Sequence, residues 1–137
     1  MNQKLCYWIY ILVCSNGAFY TGFTKNLHLR FKQHLTGKAR VKYTRSFKPT
    51  TLAQSWQLQD SLGTALKVEQ IIKKQPRKIK MTLIENPLEL KTLLEKQLNL
   101  KLAILPIEPK ELQELNSLAQ EKENRFQMTL SRMKPQN

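Results

Sequence analysis

Two tyrosines ten positions apart, Tyr10 and Tyr20, an Arg30/His34 pair four apart, and a lone acid, Glu69, have types and spacings that could do chemistry. Each also has an ordinary explanation. A strand tyrosine is usually a half-buried packing residue. An Arg and a His one turn apart are usually a solvated helix edge. A Glu on an apolar stripe can be a border residue bonded to an arginine or a lysine. Taken jointly, they are a set that hydrolysis of a phosphodiester needs. One carboxylate can hold a single divalent metal against a phosphate oxygen, neutralising charge there and on the leaving 3′ oxygen. A guanidinium can clamp the other non-bridging oxygens, and a phenol or an imidazole can take a proton from the attacking water. Two metals do not fit, because the other acid of residues 1–84, Asp60, is placed to cap a helix.

The positioning elements follow from pattern. Residues 9–13 and 18–24 are rich in β-branched and aromatic types and flank Ser15-Asn16-Gly17, a strong hairpin signal. A two-residue Asn-Gly loop would put the two tyrosines on opposite faces of the ribbon. A three-residue loop, with Gly17 left-handed, pairs Leu12 with Tyr20 and Tyr10 with Gly22, and puts both tyrosines on one face. The second register is preferred, since Gly22 leaves space beside Tyr10. Asn26 caps a helix to about residue 36, stopped by Gly37, with Leu27, Phe31 and Leu35 inward and Arg30 and His34 along the stripe's edge. A basic loop spans 38–49, and residues 51–56 read as a third strand. Asp60 caps a second helix to about residue 74, with Leu62, Ala65, Leu66, Glu69 and Ile72 inward, and a short helix covers 77–84.

Charge divides the chain. Its 137 residues carry 23 Lys+Arg against 10 Asp+Glu, net +13. Residues 1–84 alone hold 15 basic and two acidic side chains, whereas 85–137 hold eight of each. The first part is therefore the one expected to touch a polyanion. After Asn86-Pro87 come a helix to about residue 98, a break at Pro106 and Pro109, and a long helix to about residue 132. In that helix Leu112, Ala119, Phe126 and Met133 recur every seven residues, with Leu115 beside them. The expected division is a domain over 1–85 and a helical extension over 86–137.

Cys6 and Cys14 have no metal-ligand spacing and are too few for a disulfide framework, which suits a reducing, cytoplasmic setting. The apolar run 5–14 imitates a signal-peptide core, but Tyr7, Trp8 and Tyr10 interrupt it and Val13 is a poor cleavage residue, so it reads as a strand. No other run approaches the ~20 apolar residues of a membrane span.

Trp8-Ile9-Tyr10, then Tyr20-Thr21-Gly22, then Arg30-Phe31-Lys32-Gln33-His34, and then Glu69 after a basic loop resemble the ordered motifs of the GIY-YIG endonuclease superfamily. Its small stand-alone bacterial branch, the YhbQ/YazA-like proteins, is the nearest match. The resemblance covers about residues 6–84. It implies an α+β fold, a small three-stranded antiparallel sheet flanked by helices, to which residues 86–137 add a helical extension. It also implies a nuclease using one Mg2+ or Mn2+ ion. Carried over, Tyr10 would be the general base or orient the water, Tyr20 would contact the scissile phosphate or share the base role, and Arg30 would stabilise the transition state. His34 would hydrogen-bond the water or Tyr10, and Glu69 would bind the metal. Trp8 stands where the family has its first Gly, Thr21 replaces the middle Ile, and Asn86 is the first candidate for the asparagine that many relatives place after the metal-binding Glu.

Recognition is expected from Arg40, Lys42, Arg45 and Lys48 in the loop and from Lys73, Lys74, Arg77, Lys78 and Lys80, which can neutralise phosphates without reading bases. Tyr43 can stack on an unpaired base. Nucleic acid, DNA before RNA, is the expected partner, with preference for structure or single strands and no membrane. The competing readings are a non-catalytic nucleic-acid-binding module and a C-terminal helix serving a homodimer or a protein partner.

Overall fold

The computed structural model describes residues 5–39, 41 and 47–133, apart from the side chains of residues 122, 123 and 126. Strands β1 (Leu5–Cys14) and β2 (Phe19–Thr24) form the hairpin, and helix α1 (Leu27–Leu35) follows. Next come β3 (Pro49–Asp60), α2 (Leu62–Lys74), α3 (Arg77–Glu85) and α4 (Glu89–Leu98), then β4 (Ile104–Pro106) and α5 (Pro109–Met133). The sheet is antiparallel with order β2-β1-β3-β4.

Among the described residues four strands, not three, make the sheet. The extra strand comes from the C-terminal segment, where Ile104, Leu105 and Pro106 pair with Leu58, Gln57 and Trp56. Its cause is the length of β3, which runs to Asp60 rather than stopping at Trp56 and leaves an edge of unpaired peptide groups. The ladder is continued by Gln59 N–H donating to the Ala103 carbonyl at 3.0 Å and by Ile107 N–H donating to the Ser55 carbonyl at 2.9 Å.

Alternation along β1 gives the sheet two apolar faces. Tyr7, Ile9 and Ile11 face one cluster with Trp56, Leu58, Ala65, Val68, Ile72, Leu83, Leu90 and Leu94, beneath α2, α3 and α4. Tyr10 and Leu12 face the other, with Leu27, Phe31, Leu52, Ile107, Leu115 and Ala119, beneath α1 and α5. Burying each Leu or Ile contributes roughly 1.5–3 kcal/mol. Residues beyond 86 thus supply side chains to both cores. The indole N–H of Trp56 donates to the Pro87 carbonyl at 2.7 Å, which ties the α3–α4 turn to the sheet.

Helix α2 departs from expectation in two ways. Its N-cap is Ser61, whose hydroxyl accepts from Thr64 N–H, while Asp60 ends β3 and its carboxylate accepts from Ser61 N–H at 2.7 Å. Its inward face is Ala65, Val68, Glu69 and Ile72, and Leu62 and Leu66 are exposed. Either Asp60 or Ser61 is a competent cap; the long β3 claims Asp60. In α5, Leu112, Leu115 and Ala119 pack on the second cluster as their spacing requires, but Met133 at the far end of the same stripe is exposed.

Candidate active site

The hairpin sets the first two side chains. Gly17 has φ +81 and its N–H donates to the Cys14 carbonyl at 2.8 Å, so the loop is the three-residue one. Tyr10 lies opposite Gly22 and Leu12 opposite Tyr20, so both phenols rise from the same face. Their ring centres are 6.4 Å apart. A Cβ added at Gly22 would lie 2.6 Å from Cζ of Tyr10. Glycine is required there because the Tyr10 ring crosses its partner's backbone.

Helix α1 sets the next two. The Asn26 side chain accepts from Leu29 N–H at 3.1 Å and fixes the start of the helix, so Phe31 and Leu27 turn into the core. His34 is carried in with them and is 1% exposed rather than standing at a solvated edge. Its ring centre is 5.7 Å from Tyr10 and 5.3 Å from Tyr20, and its Nε2 lies 2.9 Å from the Tyr10 hydroxyl. Arg30, one turn earlier, is half-buried, and its Nη1 donates to Oε1 of Gln33 at 3.3 Å and to the Ala39 carbonyl at 3.4 Å.

Glu69 enters from α2, which lies against β2 and β1. It is buried, and its Oε1 accepts from Nζ of Lys73 at 2.9 Å, one turn along the same helix. Of the two partners the sequence leaves open, arginine or lysine, the ion pair is with lysine. The i, i+4 spacing already carried that signal.

These groups act on one another. Burial pushes the Tyr10 phenol up to about 12, against a lowering by the Arg30 guanidinium and with smaller contributions from Tyr20 and Glu69. Tyr20 is also raised by burial, and the charges of Lys73 and Arg30 oppose the rise. His34 is lowered to about 4, first by burial and then by Arg30. At neutral pH both phenols and the imidazole are therefore uncharged. The charged members are Arg30, Lys73 and Glu69, gathered around a neutral aromatic group. Nδ1 of His34 is buried and has no hydrogen-bond partner among the described residues.

Among the described residues no group of three or more His, Cys, Asp or Glu could hold a metal ion. A cation at Glu69 would take one protein ligand and fill its other positions with water and phosphate oxygens. That fits Mg2+, which keeps several waters and binds through one or two carboxylates, and it does not fit Zn2+.

The basic residues divide by position. Lys74, Arg77 and Lys78 are exposed at the α2–α3 junction, where the Arg77 guanidinium sits 4.1 Å from the centre of the Phe19 ring, beside Tyr20 in β2. Lys73 is the partner of Glu69. Lys48 is exposed next to β3, and its carbonyl accepts from Ser15 N–H. Arg40, Lys42, Tyr43 and Arg45 lie outside the described residues. Among the described residues no helix is long and apolar enough to cross a membrane.

Comparison with known proteins decides the family. The model of the GIY-YIG catalytic domain matches residues 6–83. This chain belongs to the GIY-YIG family. A UPF0213 protein of Syntrophus aciditrophicus is 43% identical over 81 residues, 58% of this chain and 92% of that one. The putative GIY-YIG domain-containing protein 242L of Invertebrate iridescent virus 6 is 37% identical over 95 residues, 69% of this chain and 95% of that one. A solution NMR structure of a UPF0213 protein from Bacillus halodurans is 32% identical, with a TM-score of 0.35, over 59% of this chain and 84% of that one. Within the GIY-YIG family the chain falls in the UPF0213 branch of small stand-alone bacterial proteins. Its two motif departures are absorbed by packing. Thr21 is buried opposite Ile11, and Trp8 packs against the second cluster. Asn86 is exposed, and its N–H closes the end of α3 on the Thr82 carbonyl.

Proposed function

We propose that this GIY-YIG chain is a cytoplasmic, divalent-metal-dependent endonuclease that hydrolyses phosphodiester bonds in DNA, directed to single-stranded, nicked or branched sites in repair, recombination or processing. The observation that carries the reading is the hydrogen bond of 2.9 Å between the Tyr10 hydroxyl and Nε2 of His34, on the ribbon face that also holds Tyr20.

The unpaired Nδ1 favours the tautomer with the proton on Nε2, because a bare nitrogen lone pair costs less when buried than a stranded N–H. Nε2–H then donates to the Tyr10 oxygen. That leaves the Tyr10 proton free to depart toward the cleft, and it steadies the phenolate that accepts a proton from the attacking water. Tyr20, held beside it, donates its hydroxyl to a phosphate oxygen. Arg30, braced by Gln33 and the Ala39 carbonyl, clamps the other non-bridging oxygens. Glu69 would hold the ion, Mg2+ or Mn2+, which when bound neutralises charge on the phosphate and on the leaving 3′ oxygen.

Binding would come from the α2–α3 junction and the basic loop, through phosphates rather than bases. Labelled single-stranded, nicked and branched DNA incubated with Mg2+ or Mn2+ tests the reading. Wild type should cut and Glu69→Gln should not. Retention of DNA by both proteins with no metal-dependent cut would instead identify a nucleic-acid-binding module.

A further inference from the structure

Glu69 is half of an ion pair whose two halves differ in exposure. The carboxylate side chain is 10% exposed, whereas that of Lys73, whose Nζ lies 2.9 Å from Oε1, is 42% exposed. An anion so enclosed needs a cation at its oxygen, since an unpaired buried charge is strongly unfavourable. Between Asp60 and Glu85 no other acid is present to hold a lysine. A divalent cation on Glu69 would stand within a few ångströms of the Lys73 ammonium, and like charges at that distance repel. Lysine has a flexible four-carbon stem and can swing outward. Its charge acts on Tyr20, and Lys74, Arg77 and Lys78, which follow it in the chain at the α2–α3 junction, are exposed. An anion arriving at this corner would meet Lys73 at once.

We propose that Lys73 stands in for the metal on Glu69 in the free protein and passes to a substrate phosphate when nucleic acid binds. Metal and nucleic acid then bind cooperatively, each making room for the other, and the coupling is reciprocal. Lys73 is thus both a placeholder and a phosphate contact. The inference rests on the reading of Glu69 as the metal ligand.

Titration of the full-length protein with Mn2+, followed by the loss of the free-ion EPR signal, tests it without any cleavage assay. Lys73→Met should bind Mn2+ about tenfold more tightly than wild type, and Lys73→Arg should resemble wild type. A single-stranded phosphorothioate oligonucleotide should tighten Mn2+ binding to wild type by a similar factor and to Lys73→Met by much less. Equal Mn2+ affinity in wild type and Lys73→Met, with binding abolished by Glu69→Gln, overturns the inference and leaves the metal ligand standing. Unchanged binding in Glu69→Gln overturns both.

Discussion

The Tyr10 hydroxyl and Nε2 of His34 are 2.9 Å apart, and the other nitrogen of that imidazole, Nδ1, meets no partner among the described residues. Burial and the Arg30 charge oppose protonation of a ring so enclosed, and its value of about 4 against 6.5 in the unfolded chain has a signed consequence. Between those two values the unfolded chain binds more protons than the native one, so stability rises with pH across the window. The full contribution is present above pH 6.5 and is lost as pH falls toward 4. With about 1.36 kcal/mol per unit, the loss reaches about 3 kcal/mol. Urea midpoints at pH 7, 5 and 4 should fall less steeply in His34→Gln than in wild type. Parallel slopes would show that the ring charges without opposition.

A phenol held near 12 makes a general base whose active form is scarce at neutral pH. Below that value the phenolate fraction grows tenfold per pH unit. Initial cleavage rates at limiting DNA, which report the groups of the free protein, should therefore climb about tenfold per unit from pH 6 to 9, without a plateau. Tyr10→Phe should lose about 10²- to 10⁴-fold while binding DNA normally. A profile that levels off near pH 7 in wild type assigns the proton to another group.

Gly22→Ala tests how closely the Tyr10 ring is held. The added methyl would stand 2.6 Å from Cζ, and Tyr10 is itself buried, so the ring or the β2 backbone must move. Overpacking of this kind costs about 1–3 kcal/mol. Thermal unfolding should register that loss. Cleavage should fall further than stability alone explains, because the displaced ring leaves its His34 contact. A variant as stable and active as wild type would show that the ring has room.

Arg30→Lys keeps the charge and removes the fork. The guanidinium is braced by Gln33 and by the Ala39 carbonyl, an orientation that a lysine ammonium cannot reproduce. The expected effect is about 10²- to 10³-fold on kcat with KM nearly unchanged. Lys78→Ala, at the exposed junction, should do the reverse, weakening DNA binding and steepening no step of the chemistry. Steady-state kinetics at two salt concentrations separates the two patterns.

The legible parts of the sequence were those fixed by local rules. Ser15-Asn16-Gly17 marked the hairpin, and the space at Gly22 chose between its two registers and so paired Tyr10 with Gly22. Asn26 set the phase of α1 and so brought Arg30 and His34 to the same end. The Glu69 position was legible as an acid on a buried stripe, although the stripe itself lay rotated, toward Val68 and away from Leu62 and Leu66. Two adjacent residues, Asp60 and Ser61, could each cap α2, and only the extent of β3 decides between them. The end of β3 was obscured by its glutamines, Gln57 and Gln59, which break the apolar pattern while their backbones still pair with Trp8 and Cys6. Strand β4 has three residues and exists because β3 offers it an edge. No local pattern could announce it.

A contact of the same non-local kind joins α5 to the sheet, and it carries the last expectation. Between Ile11 and Leu12 the register of β3 shifts, with partners Gln54 and then Leu52, so the ladder is irregular there. The Asn116 side chain, 64 residues away in sequence, repairs it as a strand would. Leu52 N–H donates to Oδ1 at 2.8 Å, and Nδ2 donates to the Leu52 carbonyl at 2.9 Å. Leu52 is 1% exposed in the cluster that also holds Tyr10 and Phe31. Asn116→Leu would leave both peptide groups without a partner, and each buried loss costs about 1–3 kcal/mol. Chemical denaturation should show a drop of about 2–4 kcal/mol. Asn116→Ala, which leaves room for water at the two groups, should lose less. If both variants match wild type, the clamp contributes nothing to stability, and other contacts of α5, Leu112, Leu115 and Ala119 among them, hold it.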